Sequence, residues 1–211
     1  MAEPPSTRSV KIPADERGGW SSDRPGREPA APRRFDPSVR GRVLRPTDRL
    51  RYVPGSLVVI ASASRDARER FAARVVEDKP AILSIDKVRA LLQGRVAADV
   101  LEEKAAELLA AAVAKRLGAG DGVILLTGVG EEERTRFVVP AAQARRPRHL
   151  ILLEVGRDEV AEDDRPALNA LRNALDAGEL GDEGFHTALR LGGGAASEVK
   201  RIVFRPPPAD D

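Results

Sequence analysis

The residues of this 211-residue chain whose types and spacing could do chemistry gather in a few places. Asp86 and Arg89 stand three apart after a short apolar run, a spacing that reads as a helix N-cap with its partner one turn on. Arg145-Arg146-Pro147-Arg148 is a compact basic cluster that would contact phosphate or form a solvated turn. Gly192-Gly193-Gly194 is followed by Ala195-Ala196-Ser197-Glu198 rather than Gly-Lys-Ser, so it reads as a flexible connection and not a phosphate loop. Glu131-Glu132-Glu133 complements the N-terminus of the helix it opens. The two histidines, His149 and His186, lie far apart and have no Ser, Cys or Asp at triad-like spacing, so neither is assigned catalysis. The absence of Cys removes disulfides, thiol catalysis, thiolate zinc sites and iron–sulfur clusters together.

Composition narrows the classes further. Lys and Arg number 35 against 33 Asp and Glu, a net of +2, so bulk charge names no partner. A hydrophobic content of 42% suffices for a core, whereas 3% aromatic residues argue against a stacking platform for single-stranded nucleic acid. No apolar run approaches the roughly 20 residues of a membrane span, and no secretory h-region is visible; the expectation is a soluble cytoplasmic protein with no membrane partner. The charge is uneven. Residues 1–55 hold 9 of 16 prolines and 12 Lys and Arg against 7 Asp and Glu, a net of +5, which leaves −3 for the remainder. That Pro- and Arg-rich stretch is expected to be a disordered arm. It reads as an electrostatic contact for nucleic acid or a partner protein, or as a solvated linker. Within it, Val39, Val43, Leu44, Leu50 and Tyr52 offer apolar surface for packing on the domain. Residues 206–211 are expected to be a disordered tail.

From Leu57 the pattern alternates. Strands are predicted at 57–61, 81–85, 123–126, 150–153 and 199–205, each a short β-branched or aliphatic run. Helices are predicted at 65–76, at 86–92 with Asp86 as N-cap, and at 96–117 with Gly118 as C-cap. Two more follow: one from Glu131 that Pro140 must kink or end, and one at 166–177. Strands alternating with helices give an α/β fold with a mainly parallel sheet between helical layers. Ligands in such sheets sit beyond the carboxyl ends of the strands, which singles out loops 62–68, 84–89 and 127–131.

Residues 55–205 resemble the P-loop kinase domain of bacterial polynucleotide 5′-kinases, the kinase module of kinase–phosphatase repair enzymes. The resemblance is carried by Pro54-Gly55-Ser56-Leu57-Val58-Val59-Ile60, Phe71-Ala72-Ala73-Arg74 and Ser84-Ile85-Asp86-Lys87-Val88-Arg89 with Leu91-Leu92-Gln93-Gly94. Ala114-Lys115-Arg116-Leu117, Glu183-Gly184-Phe185 and Ile202-Val203-Phe204-Arg205-Pro206 add to it. It implies a three-layer α/β/α sandwich over 56–205 with five mainly parallel strands in the order 2-3-1-4-5. It also implies that Asp86 holds the position of the general base on a 5′-hydroxyl and Arg89 that of the acceptor-phosphate contact.

The phosphate loop of that family, Gly-x-x-x-x-Gly-Lys-Ser/Thr, cradles phosphate with backbone N–H groups, Lys and a Mg²⁺-binding hydroxyl. Here the eight positions are Ser62-Ala63-Ser64-Arg65-Asp66-Ala67-Arg68-Glu69. Ser62 and Ala67 replace the glycines, Arg68 the lysine and Glu69 the hydroxyl residue. Arg keeps the charge but exchanges a compact ammonium for a planar fork. Like charges at about 4 Å cost roughly 1 kcal/mol in water-like surroundings and about 4 near a protein surface, so Asp66 and Glu69 oppose a triphosphate. The acid expected after the third strand is absent from Leu125-Leu126-Thr127-Gly128. Of an arginine-rich lid only Arg157 and Arg165 remain, with Glu159, Glu162, Asp163 and Asp164 between them.

Two functions follow from this pattern, with a ligand-binding regulator that uses the same cleft for a smaller anion as a third. One is a degenerate kinase-like domain without cofactor, serving in binding or assembly with a partner protein or nucleic acid. The other is an active ATP- and Mg²⁺-dependent kinase on a polynucleotide 5′-hydroxyl. The path of residues 62–70 discriminates between them: amides converging on an open hollow favour nucleotide, whereas a side chain such as Arg65 or Glu69 filling it does not.

Overall fold

The computed structural model describes residues 42–206. In chain order it contains β1 (Arg42–Leu44), β2 (Arg49–Tyr52), β3 (Leu57–Ala61), α1 (Arg65–Val75), β4 (Ile82–Ser84), α2 (Ile85–Leu92), α3 (Leu101–Ala119) and β5 (Val123–Thr127). There follow α4 (Glu131–Thr135), α5 (Val138–Gln143), β6 (Arg148–Leu153), α6 (Arg165–Ala177), β7 (Thr187–Leu191), α7 (Ala195–Glu198) and β8 (Arg201–Phe204). Six strands form one sheet in the order β1-β7-β6-β3-β5-β4, every neighbour parallel. β2 and β8 form a separate parallel pair.

The aliphatic runs are strands because both of their faces are covered. In β3, Leu57, Val59 and Ala61 join a cluster with α3 (Leu109, Val113, Leu117), α5 (Val138, Ala141) and α6 (Leu168, Leu171, Leu175). The alternate residues Val58 and Ile60 face α1 (Phe71, Ala72, Val75), with Leu50 and Tyr52 of β2 and Ile202 of β8. Alternation across the pleat thus feeds two cores at once, and the result is a three-layer α/β/α sandwich around a parallel sheet. On the α1 side, the β2–β8 pair completes the layer.

Several boundaries differ from the sequence reading, each for a local reason. The fifth strand of the main sheet is β7 rather than 199–205; with it, β4-β5-β3-β6-β7 follows the 2-3-1-4-5 order. Thr187 and Arg190, both half-buried, interrupt the apolar run of β7 and mask it, while β8 instead pairs with β2. Helix α3 begins at Leu101 and runs through Gly118, and the left-handed C-cap is Gly120, with φ of 83°. The helix predicted from Glu131 is broken at 136–137, before Pro140. Pro140 then lies in the first turn of α5, where a missing N–H costs nothing.

Arg42–Leu44 and Arg49–Tyr52 are strands, so the ordered domain begins ahead of residue 55, with Leu50 and Tyr52 buried as their apolar character suggests. The rest of the proposed arm, residues 1–41, and residues 207–211 of the proposed tail lie outside the described residues.

Candidate functional site

All three loops singled out by the parallel sheet lie at the carboxyl ends of β3, β4 and β5. In the first, only Ser62, Ala63 and Ser64 separate the end of β3 from the start of α1. Ser64 is the N-cap, and its hydroxyl accepts the Ala67 N–H at 3.3 Å. The Arg68 N–H goes to the Ser64 carbonyl at 3.2 Å, and Ser62 Oγ accepts the Ser64 N–H at 3.3 Å. None of residues 62–70 has a positive φ. A phosphate-wrapping nest requires successive N–H groups around left-handed positions, which glycine supplies and Ser62 and Ala67 do not. Residues that would wrap an anion are wound into helix, and the Ala67 amide already has an acceptor from the chain itself.

Across this loop lies α2. Its N-cap is Ser84, whose hydroxyl accepts the Lys87 N–H at 3.2 Å; Asp86 is therefore not the cap that the sequence suggested. One residue into the helix, the Asp86 carboxylate is free to bond elsewhere and does so on both oxygens. Arg68 Nη2 stands 3.1 Å from Oδ2 and Arg65 Nε 3.4 Å from the same atom, while Arg89 Nη1 is 3.1 Å from Oδ1. Arg68 also donates from Nη1 to the Ser62 carbonyl at 3.1 Å.

The cluster extends in both directions. Arg65 pairs with Glu69 at 3.4 Å, and Arg89 forks onto Glu102 of α3, with Nε to Oε1 at 2.8 Å and Nη2 to Oε2 at 2.6 Å. These bonds to Glu102 raise the pKa of the Arg89 guanidinium above its usual value, with Asp86 adding to the effect. Three guanidinium groups thus face three carboxylates, Glu69, Asp86 and Glu102, and the cluster carries no surplus positive charge.

The third loop is closed from its own helix. Glu133 Oε2 accepts the Gly128 N–H at 2.8 Å, and a Cβ at Gly128 would lie 2.7 Å from the same oxygen. Arg134, buried, donates to the Val129 carbonyl at 2.8 Å and forks onto Glu183 at 2.8 and 2.5 Å, tying the loop to the turn before β7. Two polar atoms next to Ser62 remain buried without a partner, Arg68 Nε and Thr127 Oγ1.

The residue set does not fit Mg·ATP. At the positions that the resemblance would assign to a phosphate loop, the Ala67 amide is taken by the Ser64 hydroxyl, Arg68 is committed to Asp86, and Glu69 is paired with Arg65. Among the described residues, no group of three His, Cys, Asp or Glu is gathered so as to hold a metal ion. Beside α1 there is a hollow of about 750 Å³ lined by Ala67, Arg70, Phe71, Glu154, Glu159 and Gly193, among others; none of Arg68, Asp86 and Arg89 borders it.

The other sequence candidates lie elsewhere. His149, at the opposite end of the sheet, contacts Thr187 Oγ1 through Nδ1 at 2.7 Å and lies against the Tyr52 ring at 4.6 Å between centroids. Burial, with His186 and Arg148 nearby, lowers its pKa to about 4. Arg146 donates to the Leu117 carbonyl at 3.0 Å and Arg148 to that of Gly184 at 2.7 Å, so this basic cluster holds backbone. Arg157 and Arg165 border a separate hollow beside α6. Sequence reasoning missed Glu102 and Glu133 as members of the site. Glu133 lies five residues from Gly128 in an acidic run read only as dipole complement; Glu102 is joined to Arg89 by the packing of α2 on α3, which no spacing rule predicts.

No family model matches this chain, and no curated protein matches it. Among solved structures, the tunicamycin resistance protein of Deinococcus radiodurans aligns with 72% of this chain and 99% of its own, with 15% sequence identity and a TM-score of 0.37. A likeness of that size assigns this chain neither an activity nor a substrate.

Proposed function

We propose that this chain is a kinase-like α/β domain that has given up phosphoryl transfer and acts in binding or assembly with a partner protein or nucleic acid. One observation carries this reading: the salt bridge between Arg68 and Asp86, at 3.1 Å, links the position of the phosphate-binding lysine to that of the acceptor base. Each charge is paired by the other within the chain. An entering triphosphate would have to break that pair and displace Ser64 from the Ala67 amide, next to Glu69 and with no net positive charge to attract it.

The choice of partner follows from charge. Asp158, Glu159, Glu162, Asp163 and Asp164 follow β6 and Glu131 and Glu132 follow β5, so acids border the carboxyl ends of the strands. That rim repels a polynucleotide, so nucleic acid, if it is the partner, is bound through the basic N-terminal arm; the acidic face suits a protein.

The test is transfer of radiolabel from [γ-³²P]ATP to a 5′-hydroxyl oligonucleotide. This reading predicts no transfer above background. Label on the 5′ end that disappears in Asp86→Asn would instead identify the chain as a polynucleotide 5′-kinase with an atypical phosphate loop. A gel shift of a labelled oligonucleotide, salt-dependent and removed by deleting residues 1–41, assigns nucleic-acid binding to the arm; a shift unchanged by the deletion contradicts that assignment.

A further inference from the structure

Beyond the arginine network, the loop after β6 and one face of α6 enclose a hollow of about 330 Å³, within the range of small-ligand pockets. Its apolar lining is Val155, Val160 and Leu168, the last two buried. Around it stand three guanidinium groups, Arg157, Arg165 and Arg172, together with Asn169. Residues 165, 168, 169 and 172 share one face of α6 by helical spacing, so the helix itself sets the charged and apolar parts side by side.

The three arginines are unequally engaged. Arg172 is held by Glu154 at 2.6 Å and reaches Asn169 Oδ1 at 3.4 Å. Arg165 has only a 4.0 Å approach to Glu162, whose side chain is 90% exposed. The Arg157 side chain makes no hydrogen bond or ion pair with any described residue. No carboxylate lines the hollow, since the acids of 158–164 stand outside it. Helix α6 opens here with Asp164 at its N-cap position, but that side chain makes no cap hydrogen bond and no acid stands in the first turn, so the first amides of the helix have no side-chain acceptor.

We propose that this hollow is a binding site for an organic anion, a carboxylate or phosphate group carried on a small apolar body. The anionic group is held between Arg157 and Arg165, where a guanidinium fork offers two parallel donors. The apolar body rests on Val155, Val160 and Leu168. Arg172, fixed by Glu154, forms the wall and lends its remaining charge. The site shares no residue with 62–70 or 84–89, so the proposal is independent of what those loops do.

The experiment is a ¹⁵N–¹H chemical-shift titration of the full chain with phenyl phosphate and benzoate, against phenol and inorganic phosphate alone. Saturable shifts in residues 155–160 and 165–172 are expected with at least one of the two aromatic anions, which also tells carboxylate from phosphate. Phenol and inorganic phosphate should each bind at least about tenfold more weakly. The double variant Arg157→Ala/Arg165→Ala, both exposed positions, should keep the spectrum of the fold and lose at least about tenfold in affinity; Arg68→Ala should leave binding unchanged. No saturable shift with either anion, shifts confined to 62–70, equal binding of phenol, or full affinity in the double variant would each overturn the proposal.

Discussion

Arg68 of α1 and Asp86 of α2 face each other at 3.1 Å with only 11% of either side chain exposed. Eighteen residues separate them in the chain, and their contact joins two helices over the end of the sheet. Removing one partner leaves the other charge with little water to replace it. Asp86→Ala is therefore expected to destabilise the domain by about 3 kcal/mol, measured by urea denaturation. The paired change Arg68→Met/Asp86→Leu should cost clearly less than the sum of the two single changes. Additive losses would mean that the pair is not coupled.

Were Asp86 the N-cap of α2, Asp86→Asn would be nearly neutral, because the two residues cap equally well. With Ser84 as the cap, Ser84→Ala should cost about 1 kcal/mol, and Asp86→Asn should cost at least as much through the lost charge opposite Arg68. A neutral Asp86→Asn would contradict the network.

Stability should fall on mild acidification through His149. Its pKa is lowered from 6.5 to about 4 in the folded chain, first by burial. Between those values the unfolded chain binds a proton that the folded one does not, so the contribution is intact above pH 6.5 and lost as pH falls toward 4. The slope of stability against pH between 6.5 and 5 should flatten in His149→Gln. An unchanged slope would place the acid sensitivity elsewhere.

At the opposite end of the sheet from the arginine network, Gly122 precedes β5 with the Phe204 ring over it. A Cβ built at Gly122 would lie 2.5 Å from that ring. Gly122→Ala should therefore push Phe204 out of place and destabilise the domain by about 1–3 kcal/mol by overpacking. Phe204→Leu, made together with it, should recover part of the loss.

The parallel sheet and the loops at its carboxyl ends were legible from the sequence because each long aliphatic run must be covered on both faces; the strand order was only what the family resemblance implied, and the edge strand β1 was not expected. β7 was not, since Thr187 and Arg190 sit in a five-residue strand and break the run. Asp86 was singled out through the motif it resembles, but its place opposite the first loop, against Arg68, was not foreseen. What filled the loop was legible only in part: Arg65 and Glu69 were the expected occupants, and Arg68 is the residue that crosses to Asp86, flanked by both. Local spacing reveals an i,i+4 pair such as Arg65–Glu69; it cannot reveal Arg68–Asp86 or Arg89–Glu102, which exist only after α1, α2 and α3 have packed.

The central claim, that the chain's own arginine–aspartate pair and helix cap have replaced the nucleotide, is tested most directly by isothermal titration of the full chain with Mg·ATP. With the fold verified by circular dichroism, no heat of binding is predicted up to millimolar nucleotide. Micromolar binding that disappears in Arg68→Ala would contradict it.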